Sequence, residues 1–448
     1  VSGRLRASVR GGHGEARILG EITHGETVGE ISILTGEPRT ATVTAVRSSV
    51  LARLTRDSFQ LLLAAFPQMS TRLTRLIIER LRRTNRAQAP ARRPVSIAIL
   101  PIADGVDVES FAIALENSLK EAGMIFRAAA SIVESMFDRS AIEATLDSPS
   151  DYLRITQWLD EAETRFDTIL LVADRGDTPW TQRCLRHADE VLLVGDAGQS
   201  GGLHRLERTL LIGSEAICNA ALRLVLLHPP GTRLPRNTGS WLECRNLVGH
   251  VHVRRGEARD LGRLARIISG NAVGLVLSGG GARGFAHLGV FRALVEAGIE
   301  VDYVGGTSMG AVIGSLVALD VSPDEAVARI RHFFRVSPIG DLNVLPLLSL
   351  MSAKRLDRDL DRAFQKLCGH APDIEDTWKE FYCIASSYSY SREVIMRRGP
   401  LAKLVRASIS IPAFFPPVFF RGEALLDGAI FNNFPTDEMR RMGVGKLV

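Results

Sequence analysis

Residues 272–319 read AVGLVLSGGGARGFAHLGVFRALVEAGIEVDYVGGTSMGAVIGSLVAL, and the order of apolar runs and glycines in this stretch decides the fold of the C-terminal part of the chain. The apolar run 273–277, bounded by small residues, suits a buried strand. Gly279, Gly280 and Gly281 follow it, with Ala282, Arg283 and Gly284 behind them. A helical pattern then runs over 285–296 and stops at Gly298. A second short strand, 301–304, enters Gly305-Gly306-Thr307-Ser308-Met309-Gly310, and a further helix covers 311–319.

Two motifs lie here. Gly279, Gly281 and Gly284 satisfy G-x-G-x-x-G between a strand and a helix, the setting of a dinucleotide fingerprint. That reading also wants an acid at the end of the next strand, and Asp302 stands at its start instead. The second strand ends in Gly306-x-Ser308-x-Gly310, a nucleophile elbow, in which small neighbours permit a strained backbone and expose the serine Oγ. The helix beyond it adds partial positive charge near Ser308. The Gly-rich loop is able to aim N–H groups at an oxyanion. A plain structural glycine turn is the simplest alternative.

Far downstream, Ala424-Leu425-Leu426-Asp427-Gly428-Ala429 is a short apolar run closed by an acid and a glycine. SGGGARG, GTSMG and DGA, in that order, resemble the patatin-like phospholipase family. The segment SISIPAFFPPV at 408–418 matches that family's pattern as well. The resemblance implies an α/β hydrolase domain with a Ser–Asp dyad: Ser308 as nucleophile, Asp427 as base, and Gly279 to Gly284 as the oxyanion loop. It implies no metal and no required cofactor.

The chain has 448 residues, 46% hydrophobic and 23% charged, which suits two to four ordinary globular domains. Its net charge of +5 favours an anionic surface without demanding nucleic acid. Cys184, Cys218, Cys244, Cys368 and Cys383 are scattered, with no C-x-x-C and no histidine cluster, which points to reduced thiols inside a cell and away from a metal site. No apolar run reaches the roughly 18 residues of a spanning helix, and no signal peptide opens the chain. It starts at Val1 and stops at Lys446-Leu447-Val448, which reads as the beginning of a strand, so a piece of a longer protein is expected.

The first domain is expected at 1–86. Residues 31–34 and 41–46 read as strands around a turn at Gly36-Glu37-Pro38. GETVGEISILTGEPRTATV at 25–43 resembles the phosphate-binding cassette of cyclic-nucleotide-binding domains. The resemblance implies a partial β-roll whose early strands are largely missing. It also implies a cAMP or cGMP site at Gly29, Glu30, Arg39 and Thr40, with Glu30 on the ribose and Arg39 on the phosphate, where a guanidinium fork suits the oxygens. The alternative is a roll that keeps the fold and binds nothing. Residues 59–83 read as helices with an apolar face of Leu73, Leu76, Ile77 and Leu81 among arginines, fit either to close the roll or to lie on an anionic membrane. An Arg/Ala/Pro linker follows at 84–94.

Residues 95–230 alternate strands (96–102, 168–173, 190–195, 222–228) with helices such as 109–122 and 181–188, the pattern of a Rossmann-like parallel α/β module. The first strand runs into Pro101-Ile102-Ala103-Asp104-Gly105, which is no Walker loop. TPWTQRC at 178–184 and Ala188-Asp189 resemble the middle region of neuropathy target esterase, where cassette, middle region and patatin domain occur in this order. A connector is expected at 231–270 and the patatin-like domain at 271–448.

Further candidates carry two readings each. His287 offers a Ser–His pair or a packed side chain. Arg283 is placed to steady the loop, to read a lipid phosphate, or to form a salt bridge. Phe414, Phe415, Phe419 and Phe420, and the stretch 345–351, are core or an acyl groove. The expected reaction is hydrolysis of fatty-acyl esters of phospholipids or lysophospholipids, by a peripheral protein at the inner face of a membrane. The competing class is a nucleotide-sensing scaffold with an inactive esterase domain.

Overall fold

A computed structural model describes residues 3–10, 16–22, 26–47, 49–85, 94–144, 149–213, 216–335, 342–343 and 349–448. At the N-terminus β1 (Leu5–Arg10) pairs antiparallel with β2 (Ala16–Ile22) on one edge and β3 (Thr42–Ala45) on the other. Among the described residues β1 and β2 precede the cassette. Residues 31–34, expected as a strand, lie in the helix Glu30–Thr35. Gly29 at φ 86° and Gly36 at φ 76° bracket that helix in left-handed positions open to glycine, and a four-residue apolar run does not by itself separate a short helix from a strand. Helices Arg56–Ala65 and Gln68–Asn85 follow, the first capped by Thr55 Oγ1, which accepts the Ser58 N–H. The linker's residues 86–93 fall outside the described residues.

In the middle module β4 (Ser96–Pro101), β5 (Ile125–Ala129), β6 (Thr168–Val172), β7 (Glu190–Asp196), β8 (Ala221–His228) and β9 (Gly249–Arg254) form one parallel sheet in the order β5-β6-β4-β7-β8-β9. Its central strands are apolar along their length because helices cover both faces. Asp107 and Thr178 cap the helices Val108–Leu119 and Pro179–His187. The stretch 231–270, expected as a connector, supplies the edge strand β9 and the helix Ala258–Ile268. Its His and Arg residues alternate with Val251 and Val253, and that polar composition masked a strand whose residues are largely buried.

The C-terminal sheet holds β10 (Val273–Leu277), β11 (Tyr303–Thr307), β12 (Glu380–Ser387), β13 (Arg392–Met396), β14 (Val418–Phe420), β15 (Glu423–Asp427) and β16 (Lys446–Leu447). The path is β14-β15-β12-β11-β10-β16, with β13 also on β12. β16, β10, β11 and β12 are parallel, and β15 runs against β12. One apolar core lies behind helix Met309–Ala318, which is buried along nearly its whole length. The other is continuous with the middle module: Val276, Tyr303, Tyr382 and Ile384 share a cluster with Val225 and Val251. The C-terminal sheet is thus packed on its neighbour by one uninterrupted apolar layer.

Candidate active site

The carboxyl ends of β10, β11 and β15 converge. Ser308 follows β11 with φ 53° and ψ −121°, a strained turn for a residue with a side chain. Its surroundings are kept open by glycine. A Cβ on Gly310 would come within 2.0 Å of the Leu277 carbonyl oxygen, and one on Gly306 within 2.5 Å of the Gly310 oxygen. Gly279 brings the loop after β10 so close that its Cβ would stand 3.0 Å from Ser308 Cβ. Gly428 lets the end of β15 close on β12, where a Cβ would meet the Ile384 oxygen at 2.3 Å.

Ser308 Oγ donates to Asp427 Oδ2 at 2.7 Å, and both residues are buried. Asp427 Oδ1 accepts the Ala429 N–H at 2.9 Å, and the Asp427 N–H donates to the Ser410 carbonyl at 2.8 Å. Burial raises the Asp427 carboxyl above its ordinary range, against the lowering effect of the Ala429 N–H and the Ser308 hydroxyl. No guanidinium, ammonium or imidazole contributes to that balance. Two partners escaped the sequence reading. Ser408 Oγ accepts the Ser308 N–H at 2.9 Å and donates to the Ile384 carbonyl at 2.6 Å, and the Asn433 carbonyl accepts the Gly279 N–H at 3.3 Å. Ser408 opens the SISIPAFF segment, so its motif was visible while its contact was not.

The Gly-rich loop divides by what its amides do. Gly279 spends its N–H on Asn433 and Arg283 spends its own on the Gly280 carbonyl, while Gly281 to Phe285 form a 3-10 turn with Ala282 and Gly284 inside it. The N–H groups of Gly280 and Gly281 have no acceptor among the described residues. His287 does not reach Ser308: its Nε2 lies 2.9 Å from the Ser278 carbonyl, to which it donates. Asp302 does not face a cofactor either, since it accepts from Arg266 and from the Val273 N–H. Arg283 is exposed and makes no ion pair among the described residues, so the salt-bridge reading finds no support there. Phe415 is buried, Phe414 packs edge-on against it at 4.9 Å, and Phe419 is 70% exposed. Of the stretch 345–351, residues 345–348 lie outside the described residues, and Met351 bridges to Leu342.

Comparison with known families fits this geometry. Residues 275–440 match the patatin-like phospholipase model, residues 95–261 the neuropathy target esterase family P-loop like domain, and residues 1–66 the cyclic nucleotide-binding domain. Over residues 275–440 the chain is similar to the patatin-like phospholipases. Patatin-like phospholipase domain-containing protein 6 of Homo sapiens is 32% identical over 500 residues, and protein 7 of Rattus norvegicus is 33% identical over 500. Neuropathy target esterase sws of Drosophila melanogaster is 31% identical over 494. Each alignment takes in 100% of this chain and only 34% to 36% of the relative, so the chain spans about a third of those proteins.

In this patatin-like chain the cassette residues are also brought together. Arg39 Nη1 donates to the Gly29 carbonyl at 2.6 Å, Glu30 beside it is buried, and Thr40 is exposed. The roll meets the middle module through buried charges: Arg4 lies 2.8 Å from Asp189, and Arg47 grips both oxygens of Glu163. Asp160, Glu163 and His187 place ligand atoms within 4.8 Å of one another, but the Arg47 guanidinium occupies the Glu163 carboxylate, so this trio serves as an ion-paired interface. A histidine cluster, which the sequence scan did not find, sits between the middle module and the patatin domain. His228 Nε2 and His252 Nδ1 are 3.0 Å apart, and His250 and His252 each reach the Glu375 carbonyl at 3.2 Å. All five cysteines are free thiols. Among the described residues no helix is long and apolar enough to cross a membrane.

Proposed function

We propose that this chain hydrolyses fatty-acyl esters of phospholipids or lysophospholipids through a Ser308–Asp427 dyad. The observation that carries the reading is the 2.7 Å hydrogen bond from Ser308 Oγ to a buried carboxylate with no cationic partner. An ordinary aspartate, with a pKa of about 3.9, is a weak base toward an alcohol; burial makes Asp427 a better one. Ser308 Oγ attacks the acyl carbonyl while Asp427 takes its proton. The tetrahedral oxyanion is held by the free N–H groups of Gly280 and Gly281, at a helix N-terminus that adds positive potential. The proton passes to the departing lipid oxygen, and the acyl group stays on Ser308. Asp427 then draws a proton from water, hydroxide adds to the acyl carbon, and fatty acid leaves as Ser308 recovers its hydrogen.

Ile411, next to Ser410, and Ile430, Phe431 and Phe434, just after Asp427, are each about half exposed. They suit a peripheral protein that lifts lipid from a membrane face, and the unpaired thiols fit the reducing cytoplasmic side. Gly29, Glu30, Arg39 and Thr40 fit a cyclic nucleotide as effector.

The test is labelling by a fluorophosphonate probe together with mass-spectrometric scoring of products from mixed phospholipid and lysophospholipid vesicles. Ser308→Ala is expected to lose both label and fatty-acid release with an unchanged melting temperature; label persisting in that variant removes Ser308 as nucleophile. Wild-type protein that releases no fatty acid from any vesicle returns the chain to a scaffold reading.

A further inference from the structure

A cleft of about 530 Å³ opens at the seam between the middle module and the patatin domain, away from Ser308. Its floor is the carboxyl ends of two adjacent parallel strands: Ala197 and Gly198 after β7, and His228 at the end of β8. The topological switch point of this sheet, the usual ligand crevice of such folds, lies one strand pair away between β4 and β7, and the volume of the cleft is within the range of small-molecule sites. The far wall comes from the patatin domain, where helix Lys354–Cys368 ends at Gly369.

The chemistry of the lining is one-sided. Arg233 and Arg236 line it, together with Thr232 and Asn237, and no Asp or Glu does. Both guanidinium groups are exposed and neither has an acidic partner among the described residues; Arg233 makes only a 3.5 Å contact to the Lys366 carbonyl. Of the buried arginines on this module, Arg223 pairs with Glu190 and Arg245 with Glu207, while Arg183 donates to the Tyr152, Ala141 and Ala144 carbonyls. His228 is 3% exposed, and its Nε2 is tied to His252, which leaves Nδ1 without a partner among the described residues. The Trp378 indole N–H donates to the Arg233 carbonyl at 3.1 Å and holds the loop in place.

We infer that this cleft binds a small phosphate-bearing anion, with Arg233 and Arg236 on the phosphate oxygens. Guanidinium forks match phosphate geometry, and the cleft is separate from both the cassette and the dyad. The inference does not rest on esterase activity, because its readout is binding.

The whole chain carrying Arg39→Ala, which removes the cassette's own arginine, is titrated by calorimetry and thermal shift with inorganic phosphate and with glycerol 3-phosphate, against chloride at matched ionic strength. A melting temperature that climbs with ligand concentration is expected. Arg233→Gln with Arg236→Gln should weaken binding at least roughly tenfold while leaving the ligand-free melting temperature unchanged, and the Lys/Lys pair should bind between the two, because the charge remains and the fork is lost. Tighter binding of glycerol 3-phosphate assigns the cleft to a phosphomonoester with an organic tail, such as a headgroup; equal or tighter binding of phosphate assigns it to the free anion. No response at millimolar ligand, or equal binding in the Gln/Gln variant, overturns the inference.

Discussion

Asp427 in the patatin domain and Glu163 in the middle module are both carboxylates largely withdrawn from water, and their neighbours differ in kind. Burial acts on each in the same direction, raising the carboxyl. At Asp427 nothing stronger than an amide N–H and the Ser308 hydroxyl opposes it, and the carboxyl stays raised. At Glu163 hydrogen bonds and charge from His187 and Arg47 outweigh burial and hold the carboxyl well below the usual range. The carboxylate proposed to receive a proton is left without a cation, and the one that fastens two domains is given a guanidinium and an imidazole. The same residue chemistry is therefore suited to the proposed reaction in one region and to attachment in the other by what packs beside it.

The largest effect should come from removing the reactive member. Asp427→Asn keeps the shape and the Ala429 hydrogen bond but takes no proton, so kcat/KM should fall by roughly 10³ to 10⁴. The sign for stability is the reverse. A folded-state pKa raised above the unfolded value favours folding only at low pH, and that contribution is lost as pH rises through the folded pKa, so at neutral pH the Asp427 charge is a burden. The Asn variant should melt no lower than wild type, and higher if the dyad carboxylate is the strained group described here; a clear loss of melting temperature would break the comparison.

Arg47→Ala is next. It leaves Glu163 and Asp189 buried with less positive charge, and breaking such a pair costs about 3–5 kcal/mol. Chemical denaturation should show the roll and middle module weakened, with hydrolysis of a small soluble ester retained. Replacing Arg47 and Glu163 together by Met should recover much of the loss, since the uncompensated charge disappears.

Acid separates the two carboxylates more gently. The base form of Asp427 should disappear above the pH at which an ordinary aspartate protonates, so the acid limb of kcat/KM should lie above about pH 4. The Glu163 contribution is present above the unfolded carboxylate value and fades only as pH falls through its depressed folded value. A limb at or below the ordinary aspartate value would place the reactive ionisation elsewhere. The smallest effect is expected for His287→Ala. Its imidazole holds the Ser278 carbonyl rather than Ser308, so kcat/KM should change by only a few-fold; a loss matching Asp427→Asn would replace the dyad with a histidine mechanism.

Much of the C-terminal half is legible in the sequence because its signals are local. Strand, glycine loop and helix at 272–319 follow from short-range sterics, and Gly306 and Gly310 flank Ser308 because the turn at φ 53° admits nothing larger beside it. Asp427 was found through its motif and its place after a short apolar run. The N-terminal cassette residues were legible in the same way, although the run 31–34 misled, since four residues carry too little periodicity to tell a helical turn from a strand. The seam strand β9 was missed because His252 is buried and His250 and Arg254 are half-buried, whereas polar residues in sequence read as surface.

What only the tertiary structure decided depends on contacts between residues far apart in the chain. Arg47 meets Glu163 across 116 positions, and Ser308 finds Ser408 across 100. The Gly279 amide is consumed by Asn433 while those of Gly280 and Gly281 stay free, a division that no spacing rule contains. The raised carboxyl of Asp427, the three histidines gathered at the seam and the arginine-lined cleft beside them all arise from desolvation and from which surfaces are pressed together. Those quantities are set by packing in three dimensions, and the order of residues along the chain does not carry them.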